Sequence, residues 1–450
     1  MRNANPSVVC IGAGPAGLTA AYLLSKEGVL VTVLEQDPNH VGGISKTATY
    51  RGFAFDIGGH RFFSKSAEIE HLWTELLGDD FLVRPRKSRI YYRGQLFDYP
   101  IRVFDALSKL GIAEAMRCVL SYLNTKIFPE RTPRTFEQWV TNQFGRRLFD
   151  IFFKTYTEKV WGMKCSEISA DWAAQRIKGL SLSKAIWHAI FPQRGDGPRK
   201  KLTKTLVNRF RYPRRGPGML WEAATDRIRE NGGQVLLGQR VESLRCNSLD
   251  ERWSVTAKDA DGRERHFYCD HVISSMPMRE LVRAVHPTPA HEVSSAAGGL
   301  RYRDFLVVAL IVKDHNAFDD NWIYIHDPSV RVGRIQNFKS WSPDMVPEQN
   351  LNCYGLEYFC FEGDGLWTSA DTDLVRLATE ELVALGLATR EDIVDGTVVR
   401  QPKAYPVYDD SYQQRVATIR ASLVVRHNHR IPYRHAISYD ATCARGSALR

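Results

Sequence analysis

The amino-acid sequence predicts an α/β protein with three parts: a domain built on a parallel sheet, a helical block inserted into that domain, and a second domain with an antiparallel sheet. Three observations support this prediction. An apolar run, a glycine-rich turn and a helical pattern follow one another within residues 8–26. A helical pattern extends from residue 101 to about residue 191. Separate β-like runs then lie between residues 306 and 359.

The first part is organised around residues 8–47. A short apolar strand leads into a glycine turn, a helix and a second strand that ends at Glu35. The turn consists of Gly12, Ala13, Gly14, Pro15, Ala16 and Gly17. This order is typical of a Rossmann-like dinucleotide site, because glycines permit a tight turn, close approach of the backbone to a pyrophosphate and close helix–strand packing. We expect the helix N-terminus to bind the phosphates and Glu35 to accept hydrogen bonds from ribose hydroxyls.

A second glycine pair indicates which dinucleotide binds. Gly42-Gly43 follows Glu35 closely, with Thr47 just beyond, and this spacing is more typical of FAD-binding flavoproteins than of NAD dehydrogenases. An acid at position 35 also argues against a 2′-phosphate. We therefore expect FAD, with its ADP half bound by the glycine turn, Glu35, Gly42 and Gly43. Val241, in a later β-like run, is predicted to contact the cofactor as well.

The flavin half of the cofactor needs a second segment. An alternating strand, residues 50–56, runs into Ile57 and then into Gly58, Gly59 and His60. Two adjacent glycines before a histidine indicate close approach of the backbone to a ligand. We expect these residues to lie beside the flavin ring, with His60 as the candidate catalytic residue. A purely structural role is the alternative for His60.

Turns and caps mark the elements that follow. Arg93-Gly94 predicts a hairpin turn in a small sheet, and Thr135 to Gln138 has the form of a helix capping box. The charged and aromatic stretch at residues 210–219 predicts a loop, and the run from Gly233 to Val241 predicts a strand. Asp261-Gly262 predicts another hairpin.

The sequence from residue 271 onward predicts a return to the first sheet and then the second domain. Residues 271–276 form an apolar strand, and a helix from residue 371 is expected to end at Gly386. We place the FAD-binding domain at residues 1–80 and 201–285, the helical insertion at 81–200, the sheet-containing substrate domain at 286–400, and a return to the FAD site at 401–450. From about Ser422 onward no helix or strand period is visible, which predicts an irregular terminus.

The net charge of +10 bounds the kind of ligand. Lys and Arg are concentrated in residues 84–93 and 194–215. A solvated basic face and phosphate binding both fit such clusters. Because no nucleic-acid-binding motif is visible, we expect a small anionic substrate and no nucleic acid.

Cysteine usage and hydropathy predict the compartment. The eight cysteines are scattered without a C-x-x-C pair, so neither a metal site nor a disulfide framework is predicted. The first strand begins by Val8, which leaves no room for a signal peptide, and the longest aliphatic run, Leu306 to Val312, is too short to span a bilayer. We therefore expect a cytoplasmic protein without a transmembrane segment. The oligomeric state stays open.

Several short motifs together resemble one family. They are Gly12–Gly17, Gly58–His60, Thr135–Trp139, Lys159–Trp161, Phe210–Pro213, Trp322–Tyr324, Trp341–Pro343 and Tyr405-Pro406. With them the sequence resembles FAD flavoproteins of the amine oxidase and protoporphyrinogen oxidase type, and among these the UDP-galactopyranose mutases, especially their eukaryotic-like form. The resemblance extends from about Val8 to Tyr408.

The resemblance implies an activity and a set of site residues. It implies an enzyme that interconverts the pyranose and furanose forms of a nucleotide sugar, with N5 of reduced flavin attacking the anomeric carbon and displacing UDP. It places His60 beside the flavin and Arg176 on the substrate side. It also implies that Tyr324, Arg334 and Tyr405 bind the substrate diphosphate, and that NAD(P)H reduces the FAD.

Two other interpretations stay open. The chain could be an FAD oxidase or dehydrogenase acting on an amine or an isoprenoid or polycyclic substrate. It could also be a degenerate flavoprotein, because the segment after Ser422 lacks the glycine, arginine, tyrosine and asparagine-rich run with which the resembled family ends. The cations Arg176 and Arg334 favour a sugar diphosphate, since an amine would prefer acids or an aromatic cage.

Overall fold

A computed structural model describes residues 6–101, 103–170, 209–247, 252–315 and 317–425. The strands are β1 (Ser7–Ile11), β2 (Leu30–Leu34), β3 (Thr47–Tyr50), β4 (Phe53–Asp56), β5 (Phe81–Pro85), β6 (Ser88–Tyr92), β7 (Gln95–Asp98), β8 (Arg209–Pro213), β9 (Gln234–Leu236), β10 (Arg240–Cys246), β11 (Trp253–Lys258), β12 (Glu264–Cys269), β13 (His271–Ser274), β14 (Val285–His286), β15 (Tyr302–Lys313), β16 (Trp322–Ile325), β17 (Arg334–Asn337), β18 (Leu351–Cys360) and β19 (Ile393–Pro406). The helices are α1 (Pro15–Lys26), α2 (Ala67–Leu77), α3 (Val103–Leu110), α4 (Ile112–Ile127), α5 (Phe136–Phe144), α6 (Arg146–Phe149), α7 (Thr155–Trp161), α8 (Gly218–Glu230), α9 (Met278–Ala284), α10 (His291–Gly298), α11 (Phe338–Trp341), α12 (Asp371–Ala384) and α13 (Tyr412–Val425).

The first sheet is parallel, with strand order β13-β1-β2-β9. Its strands are short apolar runs, as expected for a parallel sheet that is covered by helices. Leu18 of α1 and Leu220 of α8 pack in one core with Val8 and Val31. The predicted Rossmann-like beginning and the return of residues 271–274 to this sheet are therefore confirmed.

The second large sheet has seven strands in the order β19-β15-β18-β17-β16-β6-β7. Its pairs are antiparallel except for β16 with β6, which confirms an antiparallel sheet in the later part of the chain. The β6–β7 hairpin turns at Arg93-Gly94, with positive φ angles of 49° and 76°. The predicted hairpin is therefore confirmed, but it extends the edge of the seven-stranded sheet, so the prediction of a small sheet here was wrong.

The stretch predicted as a loop from residue 210 begins with a strand instead. β8 pairs antiparallel with β5, and the loop starts only after Pro213. Phe210 and Tyr212 are buried against Trp341, whereas Arg209 and Arg211 point to the other side. Buried and exposed side chains alternate with the period of two that is typical of a strand. The high charge of the stretch hid this period in the sequence.

The β-like run from Gly233 to Val241 is divided between two sheets. β9 extends the parallel sheet, whereas β10 belongs to a sheet with the order β12-β11-β10-β14. The chain changes direction at Gly238, where φ is 66°. The predicted β11–β12 hairpin at Asp261-Gly262 is confirmed.

The helix capping box predicted at Thr135 to Gln138 is confirmed. The capping box at α5 is formed, because the Thr135 hydroxyl accepts from the Gln138 amide at 3.3 Å and the Gln138 side chain accepts from the Thr135 amide at 3.2 Å. Phe136, Phe149 and Trp161 pack together in the hydrophobic core of this helical region. Arg176 lies outside the described residues, as does all of 171–208.

The described part of the chain after β19 contains helix α13. Val416 and Ile419 of α13 pack against Met278 and Val293. The irregular conformation expected from Ser422 was therefore wrong for residues 422–425. No helix among the described ranges is long and apolar enough to cross a bilayer. The division of the chain into domains stays a prediction.

Candidate functional site

The glycine turn after β1 brings two predicted segments into contact. Gly12 has a φ of 92°, and its amide donates to the Leu34 carbonyl at 2.8 Å. A Cβ on Gly17 would lie 1.9 Å from the Gly12 carbonyl oxygen, and a Cβ on Gly43 would lie 3.2 Å from Gly14 Cα. A side chain at position 17 or 43 would meet backbone atoms, so the backbone and the N-terminus of α1 form an open cradle.

Glu35 joins the same cradle. Its carboxylate accepts from the Ala13 amide at 2.6 Å and from the Asp37 amide at 2.9 Å. Pro15 and Ala16 begin α1, where the missing N–H of proline costs nothing. The carboxylate oxygens have further lone pairs, which could accept a hydrogen bond from a ribose hydroxyl.

Helix α8 supports the Gly42-Gly43 segment. A Cβ on Gly42 would lie 2.8 Å from Trp221 Cδ1, and Trp221 Nε1 donates to the Ser45 hydroxyl at 2.7 Å. The amide of Gly218 donates to the Thr47 hydroxyl at 2.9 Å. Helix α8 thus fixes the loop that follows the cradle, a role that no local pattern around Trp221 predicted.

The β3–β4 hairpin leads from this cradle to the second glycine pair. Gly58 has a φ of 103° and lies against the His60 ring, since a Cβ there would be 3.4 Å from His60 Cε1. A Cβ on Gly59 would lie 3.6 Å from both Arg334 Cζ and Gln336 Oε1. The structure therefore brings the predicted flavin and substrate residues into one cluster.

Arg334 is held in place by a buried acid. Its Nε donates to Glu357 at 2.7 Å, and Gln336 donates to the other oxygen of that carboxylate at 2.5 Å. Burial raises the pKa of Glu357, against the opposing effect of Arg334. Burial acts to lower the pKa of Arg334, but Glu357 outweighs it and the pKa lies well above its usual value. The guanidinium is a fixed cation with further N–H donors beside Gly59.

His60 is uncharged at neutral pH. Burial, with a smaller contribution from the Arg334 charge, lowers its pKa from 6.5 to about 4. Its Nδ1 is buried and has no hydrogen-bond partner in the described part of the chain. A neutral imidazole with a free ring nitrogen is suited to contact a polar ligand.

We expect His60→Gln to make stability less dependent on pH. The unfolded chain binds a proton near pH 6.5, whereas folded His60 binds it only near pH 4. Wild-type stability therefore falls as the pH drops between these values, and His60 accounts for on the order of 3 kcal/mol of that fall. Urea unfolding at neutral and at acidic pH measures the difference. The exposed His291→Gln serves as the control, and equal pH dependence of wild type and His60→Gln would contradict the buried neutral state.

Aromatic rings line the site around Tyr324. Its ring centroid lies 4.9 Å from that of Tyr99 and 5.3 Å from that of Tyr156. Tyr156 in turn stacks on His326, with 5.1 Å between centroids. Burial raises the pKa of Tyr156 well above its usual value, so its hydroxyl stays protonated.

Tyr405 lies on β19, where it pairs with Arg303 of β15, and its ring centroid is 6.3 Å from that of Phe359. Both Tyr405 and Tyr156 are close enough to Arg334 to affect its pKa. Tyr324 lies opposite Arg334 in the pairing of β16 with β17, so Tyr324 and Tyr405 both lie near Arg334. Their contact with a substrate diphosphate stays a prediction.

Two further arginines stand beside Tyr324. Arg61 and Arg86 both lie over the Trp322 ring, at 5.7 Å and 5.6 Å from its centroid, and Arg86 also lies over Tyr99. Burial lowers the pKa of both, and for Arg61 the neighbouring Arg86 lowers it further. Two cations in this position would be stabilised by an anion.

The basic cluster at residues 84–93 is thus only partly a solvated face. Arg86 lines the site, whereas Arg89 is held by Asp320 at 2.9 Å. Arg214, in the other basic cluster, pairs with Asp80 at 2.7 Å. Sequence analysis missed Arg61, although it directly follows His60.

The predicted residues fall into two groups. At the cradle are Gly12, Gly14, Pro15, Ala16, Gly17, Glu35, Gly42 and Gly43, and at the second cluster are Gly58, Gly59, His60, Tyr324, Arg334 and Tyr405. Val241 is buried with Val9 and Ile11, and its contact with a cofactor stays a prediction. Sequence analysis missed Tyr156, Gln336 and Glu357.

The arrangement fits FAD. The backbone cradle, where Cβ atoms would clash, suits a pyrophosphate at the end of α1. At the other end, His60 Nδ1 and Gln336 Oε1 are buried polar atoms without a hydrogen-bond partner among the residues described. Such atoms need a polar ligand group, and the edge of a flavin ring supplies donors and acceptors.

Comparisons with known proteins agree with this assignment. The family model described as flavin containing amine oxidoreductase matches residues 15–414. A "Probable UDP-galactopyranose mutase" from Klebsiella pneumoniae is 26% identical over 175 residues, which are 37% of this chain and 44% of the relative. The match therefore spans less than half of that relative's length.

Solved structures extend the likeness over nearly the whole chain. The crystal structure of reduced UDP-galactopyranose mutase matches with a TM-score of 0.79 and 22% identity, over 94% of this chain and 88% of that one. A "Putative protoporphyrinogen oxidase" from Exiguobacterium sp. 255-15 matches with a TM-score of 0.67 and 16% identity, over 94% and 92%. At these identities the likeness shows the fold, and it confirms the predicted α/β architecture.

Proposed function

The chain belongs to the family of flavin containing amine oxidoreductases, and we propose that this FAD-dependent enzyme binds a nucleotide-diphosphate sugar and interconverts its pyranose and furanose forms. One observation carries the proposal. Arg334 lies opposite Tyr324 in the pairing of β17 with β16 and is close enough to His60 to lower its pKa. Arg61 and Arg86 lie over the neighbouring Trp322 ring, so three guanidinium groups lie around Tyr324. An anionic substrate suits such a site far better than an amine.

The protein residues would bind and orient the substrate. Bound FAD in its reduced form would supply an electron-rich N5 atom as nucleophile for the anomeric carbon. Arg334, fixed by Glu357, would stabilise the charge that develops on the departing diphosphate. Tyr324 and Tyr405 would donate hydrogen bonds from their hydroxyl groups. Arg176 remains a predicted substrate-side residue.

The neutral state of His60 matters for this chemistry. An imidazolium beside the ring would withdraw electron density from a reduced flavin, whereas the neutral ring offers a hydrogen bond without charge. We also propose that NAD(P)H supplies the reducing equivalents. The reducing cytoplasm is the compartment that suits this proposal, because it supplies NAD(P)H and favours the reduced flavin.

Product analysis with the FAD-loaded full chain tests the proposal. Dithionite-reduced protein is incubated with a panel of UDP-hexopyranoses, and we expect a furanose product only with reduced enzyme. No isomerised product across the panel would contradict the mutase activity. Bleaching of oxidised flavin on anaerobic addition of an amine or isoprenoid substrate would instead assign an oxidoreductase. Failure to bind added FAD would indicate the degenerate alternative.

We expect Arg86→Ala to weaken UDP binding to the reduced protein by about 10-fold to 100-fold, the range for losing a charged hydrogen bond. Arg86 lies over Tyr99 and Trp322 at the site. Lys87→Ala is the matched control, because it removes the adjacent positive charge from an exposed side chain that pairs with Asp319. Fluorescence titration with UDP measures both, and equal effects of the two substitutions would contradict a direct contact with Arg86.

A further inference from the structure

Helix α4 turns its apolar side away from the rest of the protein. Its outward side carries Ile112, Met116, Val119, Leu120, Leu123 and Ile127, and Phe128 follows directly. The exposed fraction reaches 82% at Ile112 and 76% at Phe128. The inward side instead buries Cys118 and Thr125. A surface helix usually has the opposite arrangement, so this outward stripe lacks a partner of its own polarity in the described part of the protein.

The stripe is large as well as apolar. Residues 112–127 place these side chains within an arc of about 100° on one side of the helix. Of the twelve strongly exposed large apolar side chains in the described residues, seven lie at positions 112–128. Together they present on the order of 800 Å², which exceeds the largest patch on a typical monomer and equals the share of each partner in a standard interface.

The stripe is also symmetric about the point between Val119 and Leu120. Reversing the direction of the helix exchanges Ile112 with Ile127, Met116 with Leu123, and Val119 with Leu120. A second α4 running antiparallel would therefore meet an apolar side chain at each of these six helix positions. This is the self-complementarity that a two-fold, isologous interface requires.

We propose that a second copy of this chain covers the stripe, with the two α4 helices packed antiparallel across a two-fold axis. The charges around the stripe favour this partner over an anionic membrane. Membrane-surface helices carry free cations beside the apolar side, whereas on α4 Arg117 pairs with Glu114 at 3.3 Å and Lys126 donates to the Asn142 carbonyl at 3.0 Å.

The oligomeric state of the full chain tests the proposal. Light scattering coupled to size-exclusion chromatography is expected to show a wild-type dimer and a Leu120→Glu monomer with unchanged circular dichroism. Leu23→Glu places the same substitution on a half-exposed leucine of α1 and should stay dimeric. A monomeric wild type at micromolar concentration, or a dimeric Leu120→Glu, would overturn the proposal. A wild type that is monomeric and sediments with anionic phosphatidylserine vesicles would assign the stripe to a membrane.

Cysteine cross-linking tests the antiparallel arrangement. Leu120→Cys lies near the axis and should form a disulfide-linked dimer on oxidation, because two such residues can approach within about 7 Å. Ile112→Cys should not link to itself, since its copy would lie about 22 Å away along the helix. A mixture of Ile112→Cys and Ile127→Cys should cross-link again. Each variant is compared with wild type, which has an exposed Cys246. Self-linking of Ile112→Cys without linking of Leu120→Cys would overturn the arrangement.

Discussion

Gly17→Ala is expected to purify without FAD and to bind added FAD at least about 100-fold more weakly, equivalent to ~2.7 kcal/mol. The new Cβ would lie 1.9 Å from the carbonyl oxygen of Gly12 and 3.1 Å from its carbonyl carbon. Both atoms belong to the backbone, so α1 would have to move away from the turn. Its N-terminal N–H groups would then no longer meet the phosphates. The visible absorbance of the purified protein and a titration with FAD measure the effect.

Gly298→Ala is the control for this substitution. It adds the same methyl group at the end of α10, where a Cβ would meet nothing within 4 Å. We expect this variant to retain bound FAD. Circular dichroism separates loss of FAD from loss of the fold, and a folded Gly17→Ala with wild-type FAD affinity would contradict the assignment of the cradle to the pyrophosphate.

The cradle was predictable because its signals are local. Gly12 is required by its positive φ, and Gly17 is required because its Cα packs against the Gly12 backbone. Both requirements arise between residues that are close in the sequence. The capping box at Thr135 is equally local. Such features depend little on the rest of the fold, so their patterns can be recognised without it.

The second cluster was only partly predictable because it depends on strand register. Glu357 faces Arg334 because β17 and β18 pair with these two residues opposite each other. No pattern around Glu357 distinguishes it from an ordinary strand residue. Arg61 and Arg86 likewise meet over Trp322 only after the β6 hairpin has joined the large sheet.

Periodicity also leaves the direction of an apolar face undetermined. The pattern in α4 predicts a helix, but it does not tell whether the apolar side meets the protein or an external partner. In β8 the period of two was present, yet the arginines that alternate with Phe210 and Tyr212 gave the stretch a loop-like composition. The direction of the apolar side of α4 and the strand conformation of β8 both depend on how distant elements pack.

Arg334→Ala is expected to lower kcat/KM for the substrate by about 100-fold or more, as expected when a charge-stabilising donor is removed from a site of this kind. It should also destabilise the fold by about 3–5 kcal/mol, because the buried Glu357 carboxyl group would lose its ion-pair partner. Steady-state kinetics and urea unfolding measure the two effects separately.

The double substitution Arg334→Ala with Glu357→Gln distinguishes structure from binding. It removes the buried carboxylate together with its cation, while the glutamine oxygen can still accept from Gln336, which donates to that position at 2.5 Å. We expect the double variant to recover most of the stability, because replacing both members of a buried ion pair is far less costly than removing one. Its activity should stay as low as that of Arg334→Ala, since the anion still lacks its donor. Recovery of activity along with stability would show that Arg334 serves the fold and not the substrate.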